Sequence, residues 1–180
     1  MRVLRRGATS AAMAGAPTIR DASEADARAV QAIYAHHVLH GTASYDVEPP
    51  TVEQMAGKIV WVLGEGWPFL VASCDGAVAG YAYATQFRDR AAYRFTAENS
   101  IYVHPDRIGR GVGKALLQRL VQRSAQCGFR TMVAVIGGAE PASIALHAAC
   151  GFAEAGRLLG VGWKHDRWLD NVYMQRDLTV

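Results

Sequence analysis

The chain has 180 residues, 51% of them apolar and 19% charged. That excludes disorder of the whole chain and suits one domain with a sizeable core. Lys and Arg outnumber Asp and Glu by 19 to 16, a net charge of +3, which admits a small anionic ligand but, without a basic stripe, not a nucleic-acid surface.

The chain opens with Arg2, Arg5 and Arg6 ahead of an Ala-rich stretch that runs to Ala16 and Pro17. Gly7, Thr9 and Ser10 interrupt its apolar part, so residues 1–17 read as a disordered extension rather than a secretory signal, with Met13 as an alternative start. No later apolar run approaches the roughly 18 residues of a membrane-spanning helix. The folded domain is expected over residues 18–180.

Thr18-Ile19-Arg20 reads as a short strand. Ser23, with Asp26 three residues on, reads as a helix cap, and Ala27, Val30, Ile33 and Tyr34 give a helical face that Gly41 ends. Ser44 to Val47 is extended. Thr51 caps a second helix that runs to about Gly64, and Trp67-Pro68 breaks it. Phe69 to Cys74 and Ala77 to Phe87 form a hairpin about Asp75-Gly76. A polar connection, Arg88 to Ala92, leads to a long strand over Tyr93–His104. A helix from Val112 ends near Gly128, Thr131 to Ile136 is a strand, and Pro141 to Ala149 is a helix. Val161–Lys164 and Trp168–Gln175 are the final strands. The order predicts a mixed α/β fold with helices flanking a central sheet.

Cys74, Cys127 and Cys150 are far apart and odd in number. They exclude a disulfide framework and a cysteine zinc site, fit a reducing, cytoplasmic compartment, and read as core residues. His36, His37 and His40 lack a carboxylate or cysteine at ligand spacing, so no metal is expected. Trp163 and Trp168 read as core aromatics, with a pocket or dimer contact as alternatives.

The most chemical segment is Arg107-Ile108-Gly109-Arg110-Gly111-Val112-Gly113-Lys114, set between a strand and a helix. Glycines there allow a tight turn and a close ligand, and the helix start points free N–H groups and a positive dipole end into it. That suits a phosphate, and Arg107, Arg110 and Lys114 add charge. The segment is neither a P-loop nor a dinucleotide fingerprint, since Lys occupies position 114 where the third glycine would stand.

The segment resembles the pyrophosphate turn of the GNAT superfamily of acyl-CoA N-acyltransferases, Gln/Arg-x-x-Gly-x-Gly/Ala. Gly111 and Gly113 fill its two small positions, whereas Ile108 replaces the Gln or Arg and Arg107 is the neighbouring substitute. Residues 93–103, 133–137, 143–147 and 162–168 extend the likeness to the phosphinothricin N-acetyltransferase branch, some of whose members prefer methionine sulfone or methionine sulfoximine. It covers Thr18 to Leu178.

The resemblance implies a central, splayed GNAT sheet and transfer of acetyl from acetyl-CoA to the α-amino group of a small acidic amino-acid analogue. It implies a homodimer and a detoxifying, herbicide-resistance role. Glu98, mid-strand, is costly to bury unless a cleft or partner serves it. Burial would raise its pKa and make it a base near neutrality, and the matching Glu of the resembled enzymes is that base. The alternative is an outward ion pair. His147 stands where the superfamily often has a Tyr that protonates the leaving thiolate, with substrate orientation or packing as the alternative.

Arg88, Arg90 and Tyr93 match positions that bind the acidic groups, against the alternative of a solvated loop. Tyr102 is a pocket wall or a sheet-packing residue. For acetyl-CoA the resemblance implies Ile108 to Lys114, the backbone of Ile101, Tyr102 and Val103, and Ser143, with Glu140 in place of an Asn that would touch the CoA arm. A CoA-binding sensor without turnover is the non-enzyme alternative.

Overall fold

The computed structural model describes residues 16–179. Met13 and the body of the expected N-terminal extension lie outside them. Seven strands form one sheet in the order β1-β2-β3-β4-β5-β7-β6. They are β1 (Thr18–Asp21), β2 (Phe69–Cys74), β3 (Ala77–Gln86), β4 (Thr96–Val103), β5 (Thr131–Gly137), β6 (Ala153–Lys164) and β7 (Arg167–Asp177). The helices are α1 (Ala27–His40), α2 (Val52–Gly64), α3 (Val112–Gln126) and α4 (Pro141–Ala149). This is the expected mixed α/β architecture.

Alternation along the central strands divides the core in two. Leu70, Ala72, Ala82 and Ala84 of β2 and β3 pack with Leu116, Leu117 and Leu120 of α3. Their neighbours Phe69, Val71, Tyr81 and Tyr83 pack with Val30 and Ile33 of α1 and Ile59 of α2. Small residues let α3 approach one face, and on the other Phe69, Tyr81 and Tyr102 stack, with ring centroids 5.4–5.7 Å apart between neighbours. β2 and β3 are therefore apolar on both faces, which is why their sequences read as nearly continuous hydrophobic runs.

Every strand pairing is antiparallel except β4 with β5. The parallel ladder runs from Thr96↔Thr131 to Asn99↔Ala134 and stops. β5 continues along β7 to Gly137, and β4 continues along β3 to Val103. The two middle strands thus part company halfway along.

Two elements differ from the sequence reading. The strand expected from Tyr93 begins at Thr96, and Tyr93 closes a short 3-10 turn, Ala91–Tyr93. The Gln86 amide holds this connection by donating to the carbonyls of Arg88 and Arg90 at 2.6 and 3.1 Å. The final hairpin is longer than Val161–Lys164 and Trp168–Gln175, because β6 already begins at Ala153. β6 is an exposed edge strand with register shifts at Glu154/Gly156 and Leu158/Gly162, so its side chains lack the inside–outside alternation that marks a strand.

The expected core placement also fails for four residues. Cys150 is buried, but Cys74 is half-buried and Cys127 is exposed at the end of α3, its Sγ donating to the Gly66 carbonyl at 3.1 Å. Trp163 and Trp168 meet edge to face on the hairpin yet are 55% and 66% exposed.

The entry to α1 is fixed by Asp26. Its carboxylate accepts from the Arg20 guanidinium twice at 2.7 Å and from the Ser23 backbone N–H at 2.8 Å. The Arg20 hydrogen bond chiefly holds the Asp26 carboxyl down to about 2, against the opposing effect of burial. A carboxyl depressed in the folded state contributes stability above its ordinary value of 3.8 and loses it as pH falls toward 2. Asp26→Asn is expected to lower stability by roughly 1–3 kcal/mol at pH 6 and to have a much smaller effect near pH 2, as read by urea unfolding at both pH values.

Candidate active site

The parting of β4 and β5 opens a cleft of about 250 Å³ that passes between the two strands. Glu98, Asn99, Ser100, Ile101 and Tyr102 line it from β4, and Ala134 to Gly137 line it from β5. Tyr34, Ser44, Tyr45 and Tyr83 border it on the α1–α2 face, and Glu140, Ser143 and His147 from α4. A wider groove of about 670 Å³ between the starts of α1 and α2 holds Glu24, Arg28 and Glu53 among apolar side chains. It holds neither Glu98 nor His147, so the smaller cleft is the candidate site.

Alternation on β4 assigns the faces. Glu98 points the same way as Tyr102, which packs in the α1–α2 core, whereas Asn99 points the same way as Ala97, which packs against α3. Glu98 is half-buried, and burial raises its pKa while the nearby charge of Arg88 partly opposes the rise. His147 is 2% exposed. Its Nδ1 lies 2.7 Å from the Ser143 backbone carbonyl, and its Nε2 lies 3.1 Å from Oδ1 of Asn99. Burial lowers the His147 pKa, and the Ser143 bond resists that. Glu98 and His147 thus address one cleft from opposite faces of the sheet.

The glycine-rich segment stands beyond the end of β4. Gly109 and Gly111 have φ of 77° and 79°, a region that favours glycine, with Gly111 as the N-terminal cap of α3. The first backbone bond into the helix runs from Ala115 N–H to the Gly111 carbonyl, so the amides of Val112, Gly113 and Lys114 precede the intrahelical ladder. Ile108 is 61% exposed. Arg107, its expected substitute, is engaged with Asp75 at 3.2 Å. Arg110 and Lys114 are exposed. Ile101, Tyr102 and Val103 form the part of β4 that β5 leaves unpaired, although the Val103 carbonyl accepts from His37 Nε2 at 2.8 Å.

Arg88, Arg90 and Tyr93 lie on the exposed β3–β4 connection, outside the residues that line the cleft. The Arg88 guanidinium lies over the Phe87 ring at 4.5 Å, and Tyr93 meets the same ring edge-on at 5.8 Å. Among the described residues no group of three or more His, Cys, Asp or Glu is placed to hold a metal ion. No described helix is long and apolar enough to cross a membrane.

Sequence reasoning missed the α1–α2 loop. The Tyr34 hydroxyl donates to Asp46 at 2.6 Å and lies 2.7 Å from Ser44 Oγ, and Tyr45 donates to Asn171 on β7 at 2.5 Å. The Lys164 ammonium, 4% exposed at the tip of the β6–β7 hairpin, donates to the Ser44 carbonyl at 2.6 Å. Burial lowers the Lys164 pKa, with Asp46 acting against it. A side chain at Gly162 would collide with the Tyr45 ring, and a Cβ at Gly137 would come within 2.6 Å of the Thr42 carbonyl. The only advance signal was the lack of side chains at these glycines.

A model of the acetyltransferase (GNAT) family matches residues 30–152. The chain belongs to the GNAT acetyltransferase family. Within that family it is 49% identical over 164 residues to phosphinothricin N-acetyltransferase of Alcaligenes faecalis, spanning 91% of this chain and 83% of the relative. It is 38% identical over 164 residues to the L-methionine sulfoximine/L-methionine sulfone acetyltransferase of Salmonella typhimurium, spanning 89% and 94%. The crystal structure of a GNAT superfamily phosphinothricin acetyltransferase from Sinorhizobium meliloti in complex with acetyl-CoA superposes with a TM-score of 0.88 at 51% identity, covering 89% of this chain and 88% of that one.

The hairpin tip holds Ser44 at the rim of the candidate cleft through Lys164. Lys164→Met removes the ammonium's bond to Ser44 while keeping the length of the side chain. Loosening of that rim is expected to raise the KM of the acceptor amine. The Kd for CoA by calorimetry is expected to stay unchanged.

Proposed function

We propose that the chain transfers acetyl from acetyl-CoA to the α-amino group of phosphinothricin or a related amino-acid analogue, including methionine sulfone and methionine sulfoximine. The observation that carries this reading is the half-buried carboxylate of Glu98 at the parting of β4 and β5, with its pKa raised by burial. The similarity to enzymes named for these substrates supports the amine class. A single domain over residues 18–180 would carry the activity, since one sheet runs from β1 to β7.

The residues present fit acetyl-CoA. The amides that begin α3, with the positive end of its dipole, suit a diphosphate, and Arg110 and Lys114 add charge. The unpaired stretch of β4 from Ile101 offers backbone groups to an amide-rich arm as a further strand would. When bound, acetyl-CoA supplies a thioester as the acyl donor.

The chain's own work is to position and deprotonate the amine. An α-ammonium cannot attack, and the base that takes its proton in this reading is Glu98, whose raised pKa supports the role. Holding the amine against the acyl group replaces a bimolecular encounter with an oriented one. Arg88, whose charge reaches Glu98, is a cation for the acceptor's acidic groups, with Arg90 and Tyr93 on the same connection. His147 is the proton donor toward the departing thiolate.

The assembly reading is a homodimer in the cytoplasm. Leu158, Leu159, Val161, Trp163 and Trp168 lay an exposed apolar ribbon along the final hairpin, and such patches mark interaction surfaces. The three thiols are free, as a reducing compartment requires. Light scattering is expected to give twice the 19.4 kDa chain mass, and Trp163→Asp is expected to shift it toward the monomer.

The deciding test is thiol release from acetyl-CoA with phosphinothricin, methionine sulfone, methionine sulfoximine and ordinary amino acids. Glu98→Gln is expected to lower kcat by about 10²–10⁴-fold with CoA affinity retained. In the wild type, kcat/KM falls as pH drops through the raised Glu98 pKa, because only the ionised carboxylate accepts the proton. CoA binding without turnover on any amine would replace the enzyme reading with that of a sensor, and equal rates on glutamate would remove the detoxifying role.

A further inference from the structure

The acetyl-transfer reading gives His147 a proton to deliver but does not say what holds that proton on the ring. The surroundings of the imidazole are specific on this point. Its Nδ1 faces the Ser143 backbone carbonyl at 2.7 Å. A carbonyl can only accept, so Nδ1 carries a hydrogen in every protonation state that keeps this bond. The exchangeable position is therefore Nε2, whose partner is the side-chain amide of Asn99 at 3.1 Å. The ring is 2% exposed, and its other close neighbour is Phe152, edge-on with centroids 5.1 Å apart.

We propose that Asn99 is a positioning residue for His147: its side-chain amide, braced on the Val133 carbonyl of β5, fixes whether Nε2 of the imidazole carries a proton. The amide has two ends. With Oδ1 toward the ring, Nε2 must donate, and the ring is an imidazolium held between two carbonyl oxygens. With Nδ2 toward the ring, Nε2 accepts, and the ring is neutral. The Val133 carbonyl, 3.4 Å from Nδ2, selects the first arrangement, because the reverse would set two acceptor oxygens against each other. The brace therefore favours the proton-bearing ring, while burial opposes it. Loss of the Nε2 proton goes with a half-turn of the amide about its last torsion.

Asn99 is 7% exposed and follows Glu98 on β4. Adjacent strand residues face opposite ways, so one strand presents the base to the α1–α2 face and the positioner to the α4 face. The titratable and charged groups around the bay include Glu98, Glu140 and the phenols of Tyr34, Tyr45, Tyr83 and Tyr102, which line the same cleft, and Cys150, Lys114 and Arg176 toward the far end of α4. Among the described residues the hydrogen-bond partners of the imidazole are Ser143 and Asn99.

The inference takes its catalytic meaning from the acetyl-transfer reading, but its test does not need turnover. Side-chain ¹⁵N NMR of the full-length protein, with the His147 signals assigned from a His147→Gln spectrum, reports the proton at each ring nitrogen across a pH titration. The wild type is expected to keep Nδ1–H throughout and to titrate at Nε2. In Asn99→Asp the midpoint is expected to rise by about one pH unit or more, and in Asn99→Leu to fall by a similar amount, the size of one hydrogen bond to a charged group gained or lost.

Asn99→Ser, less disruptive to packing, is expected to fall in the same direction as Asn99→Leu and serves if the leucine variant does not fold. Retained CoA affinity checks the fold of each variant. A midpoint unmoved in Asp and Ser variants that still bind CoA would overturn the proposal, as would a wild-type ring with a bare Nδ1. Failure of the wild type to acetylate any amine would remove the acetyl-transfer reading and leave the NMR result standing. An unmoved midpoint in an active enzyme would remove this inference alone.

Discussion

The site depends on one unfinished ladder. β4 and β5 pair in parallel as far as Asn99 and Ala134, and each then follows its other neighbour. Backbone groups that pairing would have consumed are left facing a cleft, which is tolerable because that cleft can hold a polar guest. The divergence is stabilised from outside it. β4 keeps its antiparallel bonds to β3 as far as Val103↔Gly80, and β5 keeps its own to β7 as far as Gly137↔Asn171. Apolar layers cover the two faces of the sheet.

Electrostatics follow from the same geometry. Glu98 sits where the ladder is failing, half-buried and within reach of the charge of Arg88. His147 is enclosed on the opposite face, its ring held by the first turn of its own helix and by the strand across from it. One group is biased toward taking up a proton and the other toward giving one up, both through loss of water. Neither bias needs a salt bridge. Burial likewise lifts the phenols of Tyr34 and Tyr102 at the cleft, and of Tyr81 packed beside Tyr102, above their ordinary range.

Much of the fold was legible in the sequence. Pro141 at the head of α4, Thr51 at the head of α2 and Asp75-Gly76 between β2 and β3 are local signals, and the structure places each where local rules put it. β6 was not legible before Val161, because an exposed edge strand broken by bulges carries no alternation to read. At the site, Glu98 and His147 could be singled out by residue type and by family likeness, and the cleft now contains both. Tyr45 and Lys164 could not, since their meaning lies in contacts across 126 and 120 positions of chain. Such pairings depend on how the hairpin folds back over the α1–α2 loop. Asn99 was passed over because an asparagine inside a strand has no single role until its partners on β5 and α4 are known.

The cleft that opens between β4 and β5 runs through the sheet rather than into one side of it. A donor held at the start of α3 and along β4 and an acceptor seated beside Glu98 would meet at this gap. Neither has to leave before the other arrives, and no swinging arm is needed to carry the acyl group between them. The sheet itself is the partition, and its one broken seam is the place where the two compartments communicate.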